Sequence, residues 1–129
     1  MWFKKKISPV VVFDGITAEV EKDWGHISWK FKYKDVDFYT EGHIFEIPTI
    51  ENLDKYLSWI NENKKKIQAN VSAVLEGWGG TVDSAIIGGI TIQNQNKISV
   101  LFVGDENWGD MGGDFVIENG VIVDETWGD

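Results

Sequence analysis

From Ile27 to Lys34 the chain alternates without a break. Ile27, Trp29, Phe31 and Tyr33 fall on one side, and Ser28, Lys30, Lys32 and Lys34 on the other. Successive strand side chains point to opposite faces, so this period fits a half-buried strand with an apolar face on a core and a lysine face in water. A turn centred on Lys34-Asp35 pairs Phe31 with Phe38 and Lys32 with Asp37, matching ring with ring and base with acid. Upstream, Val10–Phe13 and Ile16–Val20 flank Asp14-Gly15, which predicts a first hairpin.

The period then changes. Ile50, Leu53, Leu57, Ile60, Ile67, Val71, Val74 and Trp78 recur at spacings of three and four, with Lys64 at the skipped position, which is a helical stripe. Thr49 is placed to cap its start, with Glu51 and Asp54 near the positive end of the dipole. One helix over this stretch would run roughly 43 Å, against a radius of gyration of about 14 Å for a chain of this length. A break near Asn61-Glu62-Asn63 is therefore expected. Lys64-Lys65-Lys66 then lie at the junction, and the second helix ends at Gly77.

Strand patterns return over residues 85–125. Ile86–Ile92 leads through Gln93-Asn94-Gln95-Asn96 to Ile98–Val103, and Asn119-Gly120 joins Phe115–Ile117 to Val121–Val123 as the strongest turn signal present. Apolar residues occupy both faces of this last hairpin, so at least part of it is expected to be covered on both sides. The whole chain, 1–129, reads as a single α+β domain. An antiparallel β-sheet, made of an N-terminal meander and C-terminal hairpins, carries a central helical pair packed on one face.

Composition removes several function classes. The chain has no cysteine and, since all twelve basic residues are lysine, no arginine. That excludes disulfide scaffolds, thiol nucleophiles, thiolate metal sites and arginine clamps. A formal charge of −9 opposes nucleic-acid binding, because each phosphate would be met by a net anion. The basic start of the chain is not followed by an apolar leader segment, and no run approaches a membrane span, so a cytoplasmic protein with no membrane partner is expected.

The charge is unevenly distributed. Residues 1–103 hold 13 acids and 12 lysines, whereas residues 104–129 hold eight acids and no base, a net charge of −8. Within this segment Asp105-Glu106-Asn107-Trp108-Gly109-Asp110 is echoed by Asp124-Glu125-Thr126-Trp127-Gly128-Asp129. Clustered acids steer basic partners, and tryptophan within a charged rim is a common hot-spot composition. Asp105, Glu106, Trp108, Asp110, Asp114, Asp124, Glu125 and Trp127 are thus the candidate partner-binding residues. Two plainer readings stand beside this one. A tryptophan next to a glycine after a strand can fold over the sheet end and plug the core, and an acidic run can simply be a solvated face.

Other chemistry is harder to build. Asp105, Asn107, Asp110 and Asp114 are oxygen donors, but without EF-hand spacing, and Val116 stands where a bidentate glutamate is needed, so no metal or other cofactor is expected. His26 and His43 are expected to face each other near the open end of the hairpin, and on the plainer reading they are polar residues at a sheet edge. Asp23, His26 and Ser28 can be assembled into a triad on paper but lie in no nucleophile motif, and the glycine-rich stretches match no phosphate loop. The expectation is a protein that is not an enzyme.

The strand meander with Trp24-Gly25-His26-Ile27-Ser28-Trp29, the helical run Leu53–Asn63 continuing to Leu75, and the late hairpin carrying Asp105–Asp110 and Asn119-Gly120 resemble something known. Together they are similar to small bacterial domains of unknown function that act as immunity proteins beside polymorphic or contact-dependent toxins. The resemblance implies a cytoplasmic, non-enzymatic protein that binds and neutralises one cognate toxin, and the clustered acids make a basic toxin the expected partner. The reading from a different class is a glycan-binding module in which Trp108 and Trp127 stack on sugars. It requires both indoles to be exposed.

Overall fold

The computed structural model describes residues 6–13, 15–23, 26–40, 48–75, 86–104, 108 and 111–128, and for residues 6–13, 21–23, 26 and 27 it describes the backbone alone. Among these, β1 (Lys6–Phe13), β2 (Ile16–Asp23), β3 (His26–Tyr33) and β4 (Val36–Thr40) precede the helices α1 (Ile50–Glu62) and α2 (Lys64–Leu75). The strands β5 (Ile86–Asn94), β6 (Lys97–Val103), β7 (Gly112–Glu118) and β8 (Val121–Gly128) follow. All eight strands join in one sheet in chain order.

The expected antiparallel sheet needs one correction. β4 and β5 pair in parallel, with Phe38 opposite Ile90 and Thr40 opposite Ile92. The physical reason is the connection. A helical crossover returns the chain to the end from which β4 set out, so β5 runs in the same direction, whereas every other pair is antiparallel. The sheet is therefore two four-stranded meanders fused along one parallel seam.

The β3–β4 hairpin forms in the register the alternation predicts, Phe31 opposite Phe38 and Lys32 opposite Asp37. The two phenyl rings stack at 5.4 Å. Its turn places both Lys34 (φ 50°) and Asp35 (φ 63°) in the left-handed region, where side chains with a Cβ are strained. The β7–β8 turn has the same shape with Asn119 (φ 51°) and Gly120 (φ 83°), the residue types it favours. Bonds to α1 hold the first turn instead: Tyr33 Oη donates to Asp54 Oδ1 at 2.7 Å and Lys34 Nζ donates to the same oxygen at 3.1 Å. Those bonds hold the Asp54 carboxyl below its ordinary range and raise both the Tyr33 phenol and the Lys34 ammonium.

Thr49 caps α1, accepting from the Asn52 N–H at 3.2 Å. The break falls at Asn63, whose φ of −99° and ψ of 8° leave the helical region. Its side-chain amide donates to Trp59 O at 2.8 Å and to Gly120 O at 2.9 Å, tying the junction to the β7–β8 turn. Lys64, Lys65 and Lys66 open α2, all exposed. The buried stripe is Leu53, Tyr56, Ile60, Ile67, Val71 and Leu75. Tyr56 displaces Leu57 from the centre because its hydroxyl reaches the carbonyls of Asn94 (3.3 Å) and Gln95 (3.2 Å), so a large ring is buried without stranding its polar tip. Burial raises its phenol pKa. The expected helix end at Gly77, and Trp78, lie outside the described residues.

These helix residues share one buried cluster with Ala18, Phe31, Phe38, Ile90, Val100, Phe115 and others, which define the sheet's inner face. The outer face is different. Val121 is 57% exposed and Val123 53%, so these two residues of β8 lack outer cover, whereas Val116 of β7 on the same face is half-buried. The buried residues of both helices belong to the same cluster.

Candidate protein-binding surface

The two tryptophans of the repeated unit sit at the inner end of the C-terminal meander. Trp108 is 1% exposed, and its ring lies 6.3 Å from that of Trp127. Trp127 meets Phe115 edge-on at 5.9 Å, and Phe115 meets Phe102 in the same way at 5.6 Å. Glycines make the room. A Cβ on Gly104 would overlap the Trp108 ring, and one on Gly113 would lie 2.6 Å from Trp127. The expectation of an exposed indole is thus corrected at Trp108, which fills the core between Gly104 and the Trp127 ring. Trp127 is half-buried and stands in a strand, not in a loop.

Strand alternation separates the neighbouring acids of the second copy. Register places Glu125 opposite Phe115 on the inner face and Asp124 opposite Val116 on the outer face. Glu125 is fully engaged: Oε1 accepts from Asn70 Nδ2 of α2 at 2.7 Å, and Oε2 from Trp127 Nε1 at 2.6 Å. A part-buried carboxylate requires such donors, so Glu125 joins helix to sheet and is not offered to a partner. Asp124 is exposed, with Oδ1 accepting from the Glu125 N–H at 2.9 Å. Asp114, also exposed, accepts from Ser99 Oγ across the outer face. Asp105, Glu106 and Asp110 lie outside the described residues.

The outer face of the second meander therefore carries Asp114 and Asp124 together, and register adds residues that the sequence pattern did not single out. Glu118 faces Lys97 on one side and Val121 on the other. Leu101, 40% exposed, lies opposite Asp114, and Val116 lies between Ser99 and Asp124. Their signal was present as alternation in Lys97–Val103 and Gly112–Glu118, which makes Leu101 and Val116 outer residues once Val100 and Phe115 are inner. On the first meander the outer lysines have partners: Lys32 pairs with Asp37 at 3.5 Å, and Lys30 lies 5.8 Å over the Tyr39 ring.

Among the described residues no group of three or more His, Asp or Glu side chains is placed to hold a metal ion, and no helix is long and apolar enough to cross a membrane. Backbone register sets Asp23 opposite His26 and Glu21 opposite Ser28. His43 lies outside the described residues. No family model, curated protein or solved structure matches the chain.

Proposed function

We propose that the chain is a non-enzymatic immunity or inhibitor protein that binds a basic protein toxin in the cytoplasm through the outer face of its C-terminal meander. In this reading both helices cover the inner face and leave the outer one for the partner. The observation that supports it most is the uncovered surface of β6–β8, where Asp114, Glu118 and Asp124 surround Leu101, Val116 and Val121. An apolar centre within an acidic rim suits a partner with lysine or arginine around its own apolar patch. The surplus of eight acids without a base in residues 104–129 gives this end the long-range field that speeds encounter.

The test is association with a basic partner captured from the native host at low salt. Asp114→Lys with Asp124→Lys is expected to slow association by about tenfold or more at low ionic strength and by much less at high salt. Unchanged kinetics would overturn the reading. Sugar stacking on a Trp108–Trp127 platform finds no support, because a ring 1% exposed offers no face to a sugar.

A further inference from the structure

The sheet ends in two edges of unequal character. β1 contains Pro9, which lacks an N–H, and its pairing with β2 shifts between Ser8 and Val11. Proline and a bulge are the usual means of making an edge unable to accept another strand, and here they cut β1 into two short runs. β8 has no proline and no lysine, and its one shift falls at Val123, beside the turn. Beyond it, Asp124 to Gly128 pair continuously with Val116 to Gly112. Among the described residues no strand pairs with the far side of this five-residue run, which carries neither safeguard and in which the Glu125 N–H is met only by the side chain of its neighbour Asp124.

From this asymmetry we infer that β8 accepts an extended segment of the partner as a ninth strand, with basic residues on its outer side and apolar residues on its inner side. The inference rests on the proposed binding of a basic protein and says how that partner is held. Directly opposed strand residues have Cβ atoms about 4.5–5.5 Å apart, so a lysine or arginine set opposite Asp124 meets its carboxylate. On the inner side Ile122 and Trp127 are half-buried, and apolar side chains placed beside them extend the core. Glu125 cannot serve as the recognising acid, because Asn70 and Trp127 occupy both its oxygens. A second copy fits poorly at this edge. Pairing β8 with β8 would align Asp124 and Glu125 of two segments that each carry −8, and like charges facing across strands destabilise a pair.

The test uses the full chain and a seven-residue peptide, Lys-Val-Lys-Val-Lys-Val-Lys with blocked ends, as the probe. It is titrated while backbone amide shifts and hydrogen exchange are followed. Saturable shifts in β8 and slowed exchange of the β8 amides that face away from β7 are expected. The same peptide N-methylated at alternate residues keeps its charge and side chains but loses donors on one edge, and is expected to bind at least tenfold more weakly. Asp124→Lys is expected to abolish the preference for the lysine peptide over its glutamate counterpart. Equal binding of the two lysine peptides, with the β8 amides unprotected, would overturn strand addition while leaving the acidic-surface reading intact. Strand pairing of the lysine and glutamate peptides with equal affinity would keep an adhesive edge but overturn the basic partner. Concentration-dependent self-association with protection of the same β8 amides would overturn the inference in favour of a second copy.

Discussion

The two meanders have the same four-strand topology but handle charge in opposite ways. In β1–β4 the outer lysines meet an acid or an aromatic ring within the same half, Lys32 with Asp37 and Lys30 with Tyr39, and the free edge is blocked by Pro9. In β5–β8 the described acids Asp114, Glu118 and Asp124 share the outer face with Lys97, and the free edge is regular over Asp124–Gly128. The acid surplus lies in one half of the chain and is not spread over both. Among the described residues, β8 is also the strand that ends the sheet on that side. The difference in edge design and the difference in charge coincide at β8.

The comparison breaks most readily at the tryptophans, because it requires the C-terminal half to hold its acid-bearing strand rigidly. Trp108→Ala empties a fully buried ring site and is expected to cost about 3–5 kcal/mol, read from the urea midpoint, with loss of the ordered β7–β8 hairpin. A change within a few tenths of a kcal/mol would show that the ring is not part of the core. Gly113→Ala attacks the same contact from the other side by pushing on Trp127, and a loss of stability there of comparable sign is the expected companion result.

The next effect separates two adjacent acids. Glu125→Ala leaves Trp127 Nε1 and the Asn70 amide without their acceptor and is expected to cost about 1–3 kcal/mol. Asp124→Ala, one residue away on the outer face, is expected to fall within about 0.5 kcal/mol of the parent. Partner association should respond in the opposite order, slowed by the change at Asp124 and little altered by the one at Glu125. Equal stability losses would mean that alternation does not divide these residues between faces.

Much of the fold is legible in the sequence for a physical reason: alternation and helical period report burial directly. The Phe31–Phe38 register, the Thr49 cap, the interruption at Asn63 and the Asn119-Gly120 turn all follow from local chemistry. The parallel seam between β4 and β5 does not, since strand direction there depends on how far two helices carry the chain. The site was harder to read. Trp108 stands in the same Asp-Glu-x-Trp-Gly-Asp unit as Trp127, and sequence alone sets both in an acidic context. Only the third dimension shows Gly104 and Gly113 lying beneath the rings. Asp124-Glu125 likewise reads as one acidic patch; a strand period separates two such neighbours, but the bulge at Val123 decides that Asp124 is the outer one and Glu125 the inner one.

A smaller effect tests how the first meander carries its strain. Asp35 has φ 63° and, among the described contacts, makes none comparable to those of Lys34, so Asp35→Gly relieves a left-handed residue without removing a bond. A gain of about 1 kcal/mol is expected from the steric term, reduced by the greater freedom of glycine in the unfolded chain. The parallel change Gly120→Ala in the second meander should go the other way, because Gly120 at φ 83° also lies 3.4 Å from the Trp59 indole. If both changes destabilise, the two turns are not equivalent in shape.

The smallest effect is the pH dependence of the exposed clamp at the β3–β4 turn. Tyr33 and Lys34 lower the Asp54 pKa, so the folded state holds the carboxylate more tightly than the unfolded state does. The resulting stability is present above the ordinary aspartate value of about 3.9 and is lost as pH falls through the lower folded value. Lys34 and Tyr33 are shifted upward by the same contacts. Their contribution is present below the ordinary values of about 10 and is lost as pH rises through the folded ones. The clamp therefore acts across the whole neutral range and fails at both ends. Asp54→Asn should lower Tm slightly and by a constant amount between about pH 5 and 9, and the parent and variant curves should converge in acid. A difference that persists undiminished at pH 2 would show that Asp54 acts through packing, in which case, among the described residues, the ion pairing of the first meander would rest on Lys32–Asp37.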